Sequence, residues 1–192
     1  MIFEVLKILS EEVENYIGST VKMENVAMLD SQSDNPPNLG NKVLLTLLNI
    51  NEEMTMKNFP NQSIRGNRLE TRPRVINLNL FILFCANRTS YDQALIDIAN
   101  IIEFFQGKKV FTQSNTVYNH QSVELKNIDN FRFTVELYTP TFEELNYIWG
   151  SLGGKQLPSV LYKLSLVQIE RDTVLGQSGQ VVETKTDSHL KQ

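Results

Sequence analysis

The chain has 192 residues, 41% hydrophobic and 21% charged, a balance that suits one domain able to bury its own core without a disulfide or metal staple. Eighteen Lys and Arg against 22 Asp and Glu leave a net charge of −4, which argues against a nucleic-acid binder, since that role needs many phosphate-neutralising cations. One cysteine, Cys85, excludes a disulfide framework and every multi-cysteine zinc site.

The first helix is expected over residues 2–17, where Ile2, Val5, Leu6, Leu9, Val13, Tyr16 and Ile17 recur on one face and Gly18 supplies a left-handed stop. Glu4, Glu11, Glu12 and Glu14 interrupt this stretch, so it does not read as a signal peptide. A short strand is expected at 26–29, then a loop dense in turn formers at 31–41, then a buried strand at 42–50. Residues 51–74 show no sustained periodicity and read as a long loop of the kind that carries function. The strongest strand signal is 75–86. Ile76, Leu78 and Leu80 alternate with Asn77 and Asn79, and the second half is apolar on both faces, as in a central strand covered on both sides. Its longest apolar run, 80–86, is too short to span a bilayer. The expected setting is therefore a soluble protein folded in the cytoplasm.

The second helix is expected over 91–106, with Tyr91, Leu95, Ile98, Ile101, Ile102 and Phe105 as its buried stripe, Ser90 and Gln93 as a capping box, and Gly107 as its end. A short strand at 108–112 and an ambiguous polar stretch at 113–130 follow. Residues 131–138 alternate, with Phe131, Phe133, Val135 and Leu137 facing inward. Thr141 and Glu144 form a capping box for a third helix whose face carries Phe142, Leu145, Trp149 and Leu152, ended by Gly153-Gly154. The last core strand is 160–170. The remaining residues form a polar tail, in which Gly176-Gln-Ser-Gly179 reads as a hairpin turn between 173–175 and 181–183. The expected fold class is α+β, a mixed or antiparallel sheet of about five strands with helices mainly on one face. The expected division is a domain at 1–170 and a polar C-terminal arm at 171–192.

Catalytic patterns are missing. No Gly-rich phosphate loop follows a strand, and no G-x-S-x-G elbow is present. His120 stands between Asn119 and Gln121 with no second ligand at metal spacing, and Cys85 reads as a small core hydrophobe. Glu143 and Glu144 are adjacent on a helix and do not converge on one substrate. The reading is a non-enzyme with no cofactor and no metal. Charge is segregated instead: Lys57, Arg65, Arg68, Arg72 and Arg74 against Glu70 make residues 57–74 a local +4, while the first helix is a local −3. Segregation of this kind orients subunits against one another. The basic residues are candidate partner contacts, and Val174, Leu175, Val181 and Val182 of the tail are candidates for a strand added to a neighbouring sheet edge.

Four segments together resemble a known family. They are the N-terminal amphipathic helix; Lys42-Val-Leu-Leu-Thr-Leu-Leu-Asn-Ile50 with the acidic pair that follows; Arg72-Pro-Arg-Val-Ile-Asn-Leu-Asn-Leu80 leading to Cys85-Ala86 and a helix; and Glu143-Glu-Leu-Asn-Tyr-Ile-Trp-Gly-Ser-Leu-Gly-Gly154 with Pro158-Ser-Val-Leu-Tyr162. The chain resembles the cap, or tail-terminator, proteins of phage-tail-like contractile injection systems of the antifeeding-prophage and virulence-cassette type. The resemblance implies a structural protein of tail-terminator-like fold, six copies of which form a ring on the last layer of the inner tube protein and the sheath protein. The ring ends polymerisation at the end distal to the baseplate, with no nucleic acid and no membrane involved. It implies assembly in the bacterial cytoplasm, with release in the finished particle left open. The loops at 31–41 and 51–74 are then the expected docking face. Two alternatives stay open: a baseplate or sheath-adaptor subunit of the same particle, and a small cytoplasmic enzyme with an unrecognised site.

Overall fold

The computed structural model describes residues 1–30, 38–54, 62–65, 68–71, 73–119, 122–123, 125, 131–169 and 176–179; of these, the side chains of 30, 63–65, 166, 169 and 176–179 are not described. In chain order the elements are α1 (Ile2–Ile17), β1 (Val21–Met23), a 3₁₀ helix (Val26–Asp30), β2 (Lys42–Glu52), β3 (Gln62–Arg65), β4 (Arg68–Thr71), β5 (Ile76–Asn87), α2 (Tyr91–Gly107), β6 (Val110–Thr112), β7 (Arg132–Tyr138), α3 (Phe142–Ser151), β8 (Ser159–Ile169) and β9 (Gly176–Gly179). Six strands form one sheet in the order β1-β2-β5-β8-β7-β6, in which β1 runs parallel to β2 and every other pair is antiparallel. A second sheet joins β3, β4 and β9, all antiparallel. The class is α+β, as the element pattern implies.

The period-two alternation of β5 explains both layers. Leu78, Leu80, Ile82 and Phe84 point to one face, where α1 and α2 cover them, while Leu83 and Cys85 point to the other, beneath α3. The first core is the larger and is rich in aromatics: Phe105 packs on Tyr162 at 4.4 Å between ring centroids, and Phe111 stacks on Phe133 at 5.1 Å. The second core gathers Val26, Leu39, Leu44, Leu83, Cys85, Trp149 and Leu161. Two helices thus lie on one face and the third on the other. β5 is central, hydrogen-bonded to β2 and β8, as its two-sided apolar half requires.

Several local expectations give way to tertiary partners. Residues 26–29 form a 3₁₀ turn instead of a strand. Asn25 Oδ1 accepts from the Ala27 N–H at 3.0 Å, and the Thr46 hydroxyl accepts from the Val26 N–H at 3.2 Å, so both amides are satisfied off the ladder. The strand falls earlier, at β1, where Val21 pairs with Val43. Part of the long segment 51–74 is a hairpin, β3 against β4 with Arg65 opposite Arg68. The two intervening residues in sequence, Gly66 and Asn67, are a dipeptide that favours two-residue hairpins. Gly176–Gly179 is a strand paired along the whole of β4, not a turn, because β4 offers a ladder that outweighs the weak strand propensity of glycine. At α2, Ser90 makes no side-chain cap bond, and Gln93 donates to Asp97 at 3.1 Å. At α3 the Thr141–Glu144 capping box forms as expected, and Gly153 and Gly154 take φ of 102° and 80° to end the helix.

Candidate assembly surfaces

The acidic character of α1 does not form a free face. Lys7 lies 3.6 Å from the Glu11 carboxylate, which also accepts from the Asn119 N–H at 3.0 Å. Glu12 is buried; it binds Lys108 Nζ at 2.8 Å and accepts from the Val117 N–H. Glu14 accepts from the Val21 N–H at 3.0 Å, across the turn into β1. Burial works to raise the Glu4 carboxyl, but the adjacent N-terminal ammonium and hydrogen bonds outweigh it and hold the group below its usual range. Glu11, Glu12 and Glu14 fasten α1 to its own domain, and Glu4 pairs with the N-terminus of its own helix. The expectation that this helix presents a mating charge to a neighbour is corrected accordingly.

Of the residues singled out for partner contacts, Lys57, Arg72, Val174, Leu175, Val181 and Val182 lie outside the described residues, and Arg65 is described by its backbone alone. Arg68 and Arg74 are exposed, the first at the start of β4 and the second two residues before β5. Arg74 is followed by Val75 and Ile76, exposed at 39% and 45%.

A second feature was hidden inside the expected stripe of α2. The residues that α2 turns to the sheet are Ala94, Asp97, Ile101, Phe104 and Phe105. Tyr91, Leu95 and Ile102 instead stand outward, Tyr91 at 66% exposure. They line one side of a groove of about 600 Å³, closed on the other side by Leu137, Pro140, Leu145, Leu157 and Pro158. Leu137, expected inward at the end of β7, is 56% exposed at this groove, and Phe142, expected on the buried face of α3, is 93% exposed. A helix that is apolar over two adjoining arcs is normally covered on both. Spacing alone carried the signal, because Tyr91, Leu95, Ile98 and Ile102 follow one another at i, i+4, i+7 and i+11.

The position of α2 is fixed by a buried ion pair. Arg88 Nε sits 2.5 Å from Asp97 Oδ2, with side chains 8% and 1% exposed, and Arg88 also donates to the Asn41 carbonyl. The pair joins the β5–α2 turn to the start of β2. A further groove of about 630 Å³ runs along α3 on the opposite face, between Asn49, Asn51 and Phe81 of the sheet and Glu144, Tyr147 and Ile148 of the helix. No group of three or more His, Cys, Asp or Glu side chains placed to hold a metal occurs among the described residues. Burial pushes the Cys85 thiol up to about 12, so it has no nucleophilic character at neutral pH. No helix among the described residues is long and apolar enough to cross a membrane.

Two solved structures share this fold. One is the sheath/tube terminator of an extracellular contractile injection system, PVC, in its extended state, with a TM-score of 0.65 and 14% identity. The alignment covers 100% of this chain and 64% of that one. The other is the anti-feeding prophage cap, a tube-terminating cap, with a TM-score of 0.63 and 14% identity over 96% of this chain and 60% of that one. The chain thus spans a little under two thirds of the length of these structures. No curated protein sequence matches it. The model of one family, the Pvc16 N-terminal domain, matches residues 4–183, from the first turn of α1 to beyond β9. The chain belongs to the Pvc16 N-terminal domain family.

Proposed function

We propose that this chain is a structural cap of a contractile injection particle, a ring of six copies that seats on the last layer of inner tube and sheath and ends their polymerisation. The observation that carries the reading is the family match over 180 residues, supported by a fold shared along the full chain with a sheath/tube terminator. The physical features agree with a binding role. The described surface holds two open grooves and outward apolar residues, and its one cysteine is inert. The chain works as a non-enzyme within a particle built in the bacterial cytoplasm and released with it. It meets the tube and sheath through the loops at 31–41 and 51–74.

The basic residues Lys57, Arg65, Arg68, Arg72 and Arg74 supply the long-range attraction of that docking face. Substituting the four arginines together with Ala weakens capping, and the difference from wild type is larger at low salt, because screening already suppresses the attraction at high salt. Each exposed pair is worth only about 0–1 kcal/mol, so the substitutions are made together. The readout is the fraction of tubes of defined length in purified particles by electron microscopy. An unchanged capped fraction at both salt concentrations removes the basic residues from the docking face; failure of the wild-type protein to cap tubes at all removes the function.

A further inference from the structure

Among the described residues the six-stranded sheet ends at β6, a three-residue strand that is hydrogen-bonded to β7 on its inner side. Alternation decides which of its backbone groups point away from the sheet. The Lys109 carbonyl accepts from the Val135 N–H at 2.8 Å and Phe111 lies opposite Phe133, so Lys109 and Phe111 turn their peptide groups to β7. Val110 and Thr112 turn theirs outward. A strand edge of this kind is a template on which another chain can add.

One residue occupies that template. The chain turns back directly after β6, where the Asn115 N–H donates to the Thr112 carbonyl at 3.2 Å. The turn lays the Asn115 side chain along the strand. Its Nδ2 donates to the Val110 carbonyl at 2.9 Å, and its Oδ1 accepts from the Thr112 N–H at 2.8 Å. A side-chain amide carries the donor and the acceptor of a peptide unit, so these two bonds reproduce those of a neighbouring strand. Of the four outward groups of Val110 and Thr112, Asn115 satisfies three. Its position is anchored in turn. Lys108 Nζ donates to the Asn115 carbonyl at 2.7 Å and to Glu12 of α1 at 2.8 Å, and Glu12 accepts from the Val117 N–H. The opposite edge strand, β1, is treated alike at its first residue, where the Val21 N–H donates to the Glu14 carboxylate at 3.0 Å.

We propose that Asn115 is an edge stop: it stands where a strand of another chain would lie and denies the β6 edge to strand addition. Its use rests on the cap reading. A subunit that ends a polymer must bind the layer beneath it without offering a template for the next. A sheet edge is the least selective template a protein presents, because the added strand is held by main-chain bonds that any sequence can make. Asn115 closes this one with no element of its own, since the turn that reverses the chain after β6 also delivers the amide. An incoming strand must break both side-chain bonds and move the turn aside before it gains bonds of its own. The stop therefore also excludes the β6 edge as a landing site for the arm at 171–192 of a neighbouring copy.

The test uses the full chain and reads amide hydrogen exchange by nuclear magnetic resonance. In wild type the Thr112 amide is expected to be protected, and the exchange of Val110 and Thr112 is expected not to change with protein concentration. Asn115→Ala removes both side-chain bonds and opens the edge. In dilute solution its Thr112 amide is expected to exchange at least about tenfold faster than in wild type. As concentration rises the variant is expected to self-associate at least about tenfold more tightly than wild type in sedimentation experiments. That association is expected to protect the Val110 and Thr112 amides together, while Phe111, bonded to β7, is protected throughout. Adding Val110→Lys puts a charge on the opened edge and is expected to return the variant to wild-type behaviour. A wild-type Thr112 amide that exchanges as fast as one in an unstructured peptide overturns the proposal, whether or not the alanine variant folds. So does an Asn115→Ala chain with native circular dichroism that associates no more than wild type, or one whose association leaves the Val110 amide fast. A wild-type chain that fails to cap tubes removes the cap reading, while the exchange and association results still decide the stop.

Discussion

Replacing Asp97 with Ala is expected to be among the most damaging single changes outside the apolar core. The Asp97 carboxylate is 1% exposed and takes two hydrogen bonds, from Arg88 Nε at 2.5 Å and from Gln93 Nε2 at 3.1 Å. The Arg88 side chain is itself buried at 8% exposure, and one of its terminal nitrogens has no partner among the described residues. Without Asp97 the guanidinium keeps only the Asn41 carbonyl, and its charge is left uncompensated in the interior. Breaking a buried pair from one side costs about 3–5 kcal/mol. For a chain of this size each kcal/mol lowers the melting temperature by about 2–4 °C, so a fall of roughly 6–20 °C is expected. The partner experiment separates lost attraction from stranded charge. Arg88→Met with Asp97→Ala removes both charges and fills the guanidinium space with a flexible apolar chain, and it is expected to recover most of the loss. Urea unfolding followed by circular dichroism gives the three free energies. A loss below about 1 kcal/mol in the single variant, or a double variant as unstable as the sum of both single changes, refutes the account.

Trp149 is 4% exposed and its indole nitrogen is buried without a partner among the described residues. Trp149→Phe is therefore expected to cost little, below about 1.5 kcal/mol, while Trp149→Ala costs about 3–5 kcal/mol, since the first removes an unsatisfied donor and the second opens a cavity in the core under α3; equal losses in denaturant unfolding contradict this. The Cys85 thiol, raised to about 12 by burial, is expected to stay unmodified by a disulfide reagent at pH 8 until denaturant unfolds the chain, and labelling of the native protein within minutes contradicts its placement. Deleting residues 180–192 leaves β9 in place, whereas deleting 172–192 removes it. Both deletions are expected to leave the melting temperature within about 3 °C of wild type, because ordering four residues costs about as much as their ladder bonds return, and only retention on sheathed particles is expected to fall. Unfolding of either truncated chain, or normal retention by both, defeats the assignment of 171–192 as an arm.

Strong periodicity made the frame of this fold legible. Helices α1 and α3 and strands β2, β5, β7 and β8 all sit where apolar spacing places them, because each turns a repeating pattern toward a layer that buries it. The failures fall where a partner remote in sequence decides the conformation. Residues 26–29 have the composition of a strand, yet the Thr46 hydroxyl and Asn25 side chain satisfy their first amides and wind them into a 3₁₀ turn. Gly176–Gly179 has the composition of a turn, yet β4 draws it into a ladder. Charge misleads in the same way. The glutamates of α1 form a cluster when counted along the chain, but Lys108 and the amides of Val117 and Asn119 come from about a hundred residues away to meet them. A local charge sum measures surface charge only when no distant segment folds onto it.

The groove on α2 shows what one dimension conceals. At about 100° per residue, Phe104, Asp97, Ile101, Ala94, Phe105, Ile98, Tyr91, Ile102 and Leu95 fall in that order around the helix over an arc of about 180°. A sequence scan merges this arc into one buried stripe. The sheet reaches only part of it: Ile101, Ala94 and Phe105 are covered, Ile98 is half-covered, and Tyr91, Ile102 and Leu95 stand beyond the edge. Among the described residues nothing covers Tyr91, Ile102 and Leu95, so within that part of the fold their apolar character has no packing role. An apolar ridge of this kind is the sort of surface that a protein contact covers. The exposed carboxylates Asp92 and Glu103 stand next to this ridge on the helix surface, and charges bordering an apolar strip limit the contiguous patch it offers to random neighbours.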